Sequence, residues 1–129
     1  MIISFGWTAD YLPPKGSKDT TRRIWSDRTF GAWCRAWDNH KLIHDAVNKQ
    51  LCFGGEYIGK IKLIEKPFKE PLSRMTHEEV VREGGMVASP EEFIGKYFDG
   101  DCDLEVAVIR FQFMPLELVA TKPKQLTLL

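Results

Sequence analysis

The run from Leu104 to Phe113 constrains the fold more than any other stretch. Leu104, Val106 and Val108 fall on one of its alternating faces, and Ala107, Ile109, Phe111 and Phe113 on the other. A strand that is apolar on both faces must be covered on both, so it is expected at the centre of a sheet with further elements above and below it.

The remaining segments are short. Ile2 to Trp7 reads as a buried first strand handing over to a turn or short helix. Pro13-Pro14-Lys15-Gly16-Ser17-Lys18-Asp19 breaks both helix and ladder, and Thr20 to Trp25 then resumes a strand-like pattern. Ser26 or Asp27 can cap a helix whose Phe30, Trp33, Cys34 and Trp37 lie at i, i+3, i+4 and i+7. Ile43 to Val47 and Tyr57 to Glu65 are predicted strands, joined by a turn-rich stretch containing Gly54-Gly55. Pro67 and Pro71 are expected to interrupt any ladder. Thr76-His77-Glu78-Glu79 has capping-box spacing, with Glu79 reaching back, before a helix that ends at Gly84-Gly85. Ser89-Pro90-Glu91-Glu92 starts another, with Phe93, Ile94 and Phe98 on its apolar side.

Four to six strands and three short helices within 129 residues predict one α+β domain, a mixed, partly open β-barrel closed by short α-helices. It is expected to span residues 1–114, followed by a docked or flexible tail over 115–129. With 43% hydrophobic and 28% charged residues the chain is globular in composition and needs no disulfide or metal to stabilise its core.

Eighteen basic and eighteen acidic side chains give no net charge, which excludes wrapping a polyanion through bulk charge alone. The balance is uneven along the chain, basic up to residue 64 and acidic from 65 to 105. Cys34, Cys52 and Cys102 form no CxxC pair and read as free thiols of a reducing, cytoplasmic compartment. No run is long and apolar enough for a membrane span. His40, His44 and His77 make no zinc spacing with the cysteines, and no phosphate-loop or dinucleotide fingerprint occurs, so neither metal nor cofactor is expected.

The densest polar cluster is Gly16-Ser17-Lys18-Asp19-Thr20-Thr21-Arg22-Arg23. Strand alternation puts Thr21 and Arg23 on one face and Thr20 and Arg22 on the other, so Lys18, Thr21 and Arg23 can converge on a pocket for a phosphate, carboxylate or carbonyl. Solvated cations and strand-forming threonines are the competing, purely structural explanation. Trp7 and Trp25 flank the cluster and are the candidates for stacking a base, whereas Phe30, Trp33 and Trp37 form a core stripe.

Gly16, Lys18, Thr21 and Arg23 in the pattern G-x-K-x-x-T-x-R join an ordered series of further features. These are Gly54-Gly55 with Ile58-Gly59, Pro67-Phe68, Leu72 with Met75, Glu83-Gly84, Phe93 and Val108-Ile109-Arg110-Phe111. Together, over roughly residues 2–113, they resemble an ASCH domain of the PUA-like superfamily. The resemblance implies a small pseudo-barrel closed by helices, with a cleft bearing Lys18, Thr21, Arg22, Arg23 and Glu83 that binds RNA or a modified nucleoside or nucleotide.

Some members of that family are amidohydrolases that deacylate a modified cytidine, which implies Lys18 as base, Thr21 as nucleophile and Glu83 as acid. Such a lysine must have its pKa lowered by burial or by neighbours such as Arg22 and Arg23. Asp19 departs from the family pattern and would raise that pKa if it faced the pocket. A protein-interaction domain that has kept the fold and lost the ligand is the third reading.

Overall fold

In the computed structural model, which describes residues 1–116, the long strand β6 (Glu105–Pro115) is the spine of the molecule. Its first half is flanked on one edge by β2 (Thr20–Arg23) and on the other by β5 (Phe68–Pro71), so that Val108 stands opposite both Arg22 and Phe68. Its second half pairs with β4 (Tyr57–Leu63), which pairs with β3 (Ile43–Val47), and β1 (Ile2–Ser4) closes the row in the order β1-β3-β4-β6-β2. All pairs are antiparallel except β1 with β3. The sheet curls into an open half-barrel, and short helices complete an α+β fold.

Both faces of β6 are covered. Ala107, Ile109 and Phe111 join Phe5, Trp33, Ile61 and Leu63 in the main core, with the Phe5 and Phe111 rings 5.3 Å apart. Helix α1 (Asp27–Asp38), capped by the Ser26 hydroxyl on the Thr29 amide, inserts Trp33 there. On the opposite face Val106 packs with Leu72 and Ile94. A third cluster, of Met75, Val80 and Phe93, joins α2 (His77–Arg82) to α3 (Pro90–Tyr97). Each large side chain buried in this way contributes about 1.5–3 kcal/mol, so the two covered faces of β6 hold the layers together.

Three expectations are corrected. The first strand ends at Ser4, and Trp7 lies in a 3₁₀ turn, Gly6–Tyr11, that starts with a positive φ of 57° at Gly6. Pro67 and Pro71 do not interrupt the ladder, because Pro67 precedes β5 and Pro71 ends it, so no interior donor is lost. Glu79 does not reach back to complete a capping box. Thr76 caps the Glu79 amide, but the Glu79 carboxylate turns to Arg110, a charged partner that outcompetes one backbone amide. β6 runs to Pro115, and residues 117–129 of the expected tail lie outside the described residues. Among the described residues no helix is long and apolar enough to cross a membrane.

Candidate functional site

The loop before β2 is stitched to the end of α2 by three successive contacts. Ser17 Oγ donates to the Val81 carbonyl at 2.9 Å, the Asp19 amide to that of Arg82 at 2.9 Å, and Lys18 Nζ to that of Glu83 at 3.1 Å. Tyr11 fixes the other side of the loop, its carbonyl accepting the Lys18 amide at 2.9 Å. That close approach requires glycine at 16, where a Cβ would lie 2.2 Å from the Tyr11 carbonyl oxygen. Gly84, at φ +123°, lets the Tyr11 ring in from the other direction. Two glycines thus hold Tyr11 between the segments that carry Lys18 and Glu83.

Lys18 and Glu83 are each 2% exposed, and Lys18 Nζ lies 2.9 Å from Glu83 Oε2. With the Thr20 carbonyl at 3.1 Å and the Glu83 carbonyl, all three ammonium protons have acceptors. Burial pushes the Lys18 pKa below its ordinary 10.5; Glu83 opposes the shift, and Arg23 and Arg22 add to it. Asp19 takes no part. Its carboxylate faces outward to Arg82, 3.0 Å away, and to the Thr20 hydroxyl. Glu83 is therefore more than a helix-end carboxylate, since it accepts from both Lys18 and Arg22 in the interior.

Arg22 has a fully buried side chain that spreads over three carboxylates, Glu83 at 3.3 Å, Glu70 at 3.0 Å and Glu79 at 3.6 Å. Its Nε, also buried, has no hydrogen-bond partner among the described residues. Arg23 donates from Nε to the Thr21 hydroxyl at 3.1 Å and sits 5.6 Å from the Phe5 ring centre. Burial lowers its pKa and Glu83 opposes that shift; a guanidinium keeps its charge in proteins.

Lys18, Thr21, Arg22 and Arg23 line one cavity of about 240 Å³, together with Trp7, Phe93 and Tyr97. The opposite faces expected for Thr21 and Arg22 do not keep them apart, because both border this space. Trp7 is 58% exposed and contacts the Tyr11 and Tyr97 rings at 5.9 and 5.8 Å. Two of the expected site residues stand apart from the cavity. Glu83 lies behind Lys18 and Arg22, and Trp25 is stacked on Trp33 at 5.3 Å in a separate cavity of about 320 Å³, which shares Arg23 and Ser4 with the first.

Three features went unread in the sequence. Tyr97 was not singled out, although it follows Phe93 by one helical turn and so shares its face. Glu70 was hidden in a strand that its flanking prolines masked. Arg110 gathers Glu65, Glu79 and the Thr20 hydroxyl at the far end of the ion network, with no local signal to announce it.

Chemically, the arrangement presents a small, partly aromatic chamber with a cationic floor. Its donors can pair with a group that accepts hydrogen bonds. The chain matches no family model, no curated protein and no solved structure.

Proposed function

We propose that the chain is an ASCH-type, PUA-like module that binds a nucleoside- or nucleotide-type ligand in the Lys18–Arg23 cavity. The observation that carries this reading is the convergence of Lys18, Thr21, Arg22 and Arg23 on one chamber beside the exposed Trp7 ring. Such a wall offers both a stacking surface and directed donors, the two means by which a base and its substituents are held. The open half-barrel with short helices is compatible with the pseudo-barrel that the resemblance implies. A chamber of about 240 Å³ fits one base or one small substituent, and a chain of zero net charge offers no broad track for an RNA strand.

Binding is favoured over amide hydrolysis by the hydrogen bonds of Lys18. A base must turn a free lone pair to the hydroxyl it activates, whereas Lys18 places its protons on Thr20 and Glu83, and Thr21 accepts from Arg23.

The test is a ¹H–¹⁵N NMR titration with cytidine, an N4-acylated cytidine and a short single-stranded RNA, repeated with Arg23→Gln and with products followed by chromatography. Shifts at Trp7, Lys18 to Arg23 and Tyr97 with the nucleosides, insensitive to salt and without product, are expected. Silence from all three ligands sinks the binding reading, product restores the hydrolase, and steeply salt-dependent RNA shifts away from the cavity move function to another surface.

A further inference from the structure

We infer that the cavity takes its ligand by an anionic oxygen group, a carboxylate or a phosphate, seated on Arg22 and Arg23; this rests on the nucleoside-type reading above and narrows it. Among the described residues that line the chamber there are three cations, Lys18, Arg22 and Arg23, and no carboxylate. The carboxylates that pair with these cations stand outside the lining: Glu83 has one oxygen on Lys18 and the other on Arg22, and Glu70 and Glu79 lie 3.0 and 3.6 Å from Arg22.

What is left over is all donor. The Arg22 side chain is wholly buried and its Nε–H has no partner among the described residues. Arg23 uses Nε on Thr21, and its terminal nitrogens make no hydrogen bond among the described residues. The Thr21 oxygen accepts that bond, which leaves the hydroxyl proton for a ligand. The Tyr97 hydroxyl is buried and unpartnered as well.

Buried donors without acceptors are costly, and the aromatic wall lowers the local dielectric, so an oxygen with negative charge gains more here than in water. A neutral base edge mixes donors with acceptors and leaves part of this set unmatched. A carboxylate or phosphate matches it throughout, and a guanidinium binds either by paired N–H bonds.

Calorimetric titration of the full chain with cytidine, cytidine 5′-monophosphate, N4-succinylcytidine and inorganic phosphate tests the inference. At least one anionic derivative should bind about tenfold or more tightly than cytidine, the gain expected of one charge-assisted hydrogen bond. The monophosphate as the tighter form assigns a phosphate, and the succinyl form a carboxylate. Arg23→Gln should bring the favoured derivative down to the level of cytidine, and Tyr97→Phe, which removes a single oxygen, should weaken it less.

If Arg23→Gln does not fold, the ratios in the unaltered protein decide alone. Equal binding of all three nucleosides overturns the anion inference and leaves the nucleoside reading standing. Phosphate binding that depends on Arg23, with no nucleoside derivative bound, upholds the anion site and sinks the nucleoside reading. No binding by any of the four sinks both.

Discussion

Lys18 and Glu83 are 65 residues apart in the chain, yet their charged groups lie 2.9 Å apart in a place where each residue is only 2% exposed. Removing one member of such a pair leaves a buried charge uncompensated, a loss of about 3–5 kcal/mol. Glu83→Gln is therefore expected to lower the urea midpoint strongly. Replacing both, as Lys18→Met with Glu83→Leu, should recover part of the stability, since Arg22 keeps Glu70 and Glu79 but loses Glu83. A Glu83→Gln protein as stable as the parent would show that the pair is not closed in solution.

Acid stability should report on Glu79. Its hydrogen bond from Arg110 holds its carboxyl below the ordinary 4.5, burial opposes that shift, and Arg22 adds to it. Because the folded form gives up its proton more readily than the unfolded one, the contribution is complete above about pH 4.5 and is lost as pH falls through the folded value. Glu79→Gln should lower stability at pH 7 and flatten the profile on the acid side. Urea titrations between pH 3 and 7 measure both, and an unchanged acid slope would assign acid unfolding to other carboxylates.

Two glycines make opposite predictions. At Gly16 a Cβ would collide with the Tyr11 carbonyl, so Gly16→Ala must displace the Lys18 amide and should cost both stability and ligand affinity. At Gly95, within α3, a Cβ meets nothing within 4 Å, and Gly95→Ala should stabilise by about 0.5–1 kcal/mol through helix propensity. Denaturation of the two variants side by side checks the contrast, which fails if both move in the same direction.

The two tryptophans near the cluster should separate by readout. Trp7→Ala removes an exposed ring from the chamber and is expected to weaken nucleotide binding by about 1–3 kcal/mol, the worth of one stacked base. Trp25→Ala removes a ring stacked on the buried Trp33 and should act chiefly on stability. Calorimetry and thermal unfolding of both variants would expose a reversed pattern.

Local rules made most of the fold legible. The double-faced apolar run gave a central β6, the i, i+3, i+4, i+7 aromatics gave α1, Thr76 and Ser89 cap α2 and α3 as their positions suggested, and of Ser26 and Asp27 it is Ser26 that caps α1. β5 was not legible, because proline is read as a ladder breaker before its place in the register is known. Glu79 shows the same limit in side-chain form, since the partner it chose belongs to β6. Of the candidate site, Lys18, Thr21 and Arg23 could be grouped from loop and strand alternation alone. The burial of Glu83, the chamber wall given by Tyr97 and the outward turn of Asp19 depend on contacts between α2, α3 and the loop, which no spacing within one segment encodes.

The pairing of β2 with the first half of β6 also sets an order of events. Thr20 and Arg110, 90 residues apart in sequence, must meet before the strand that carries Thr21, Arg22 and Arg23 has a neighbour to lie against. Contacts that span so much chain bear the full entropy of closing the intervening loop, whereas the β3–β4 hairpin and the helices form from nearby residues. The chamber is therefore expected to assemble late. A chain still being synthesised, with β6 not yet made, lacks the one strand that β2, β4 and β5 all lie against, and with it the support of the chamber wall.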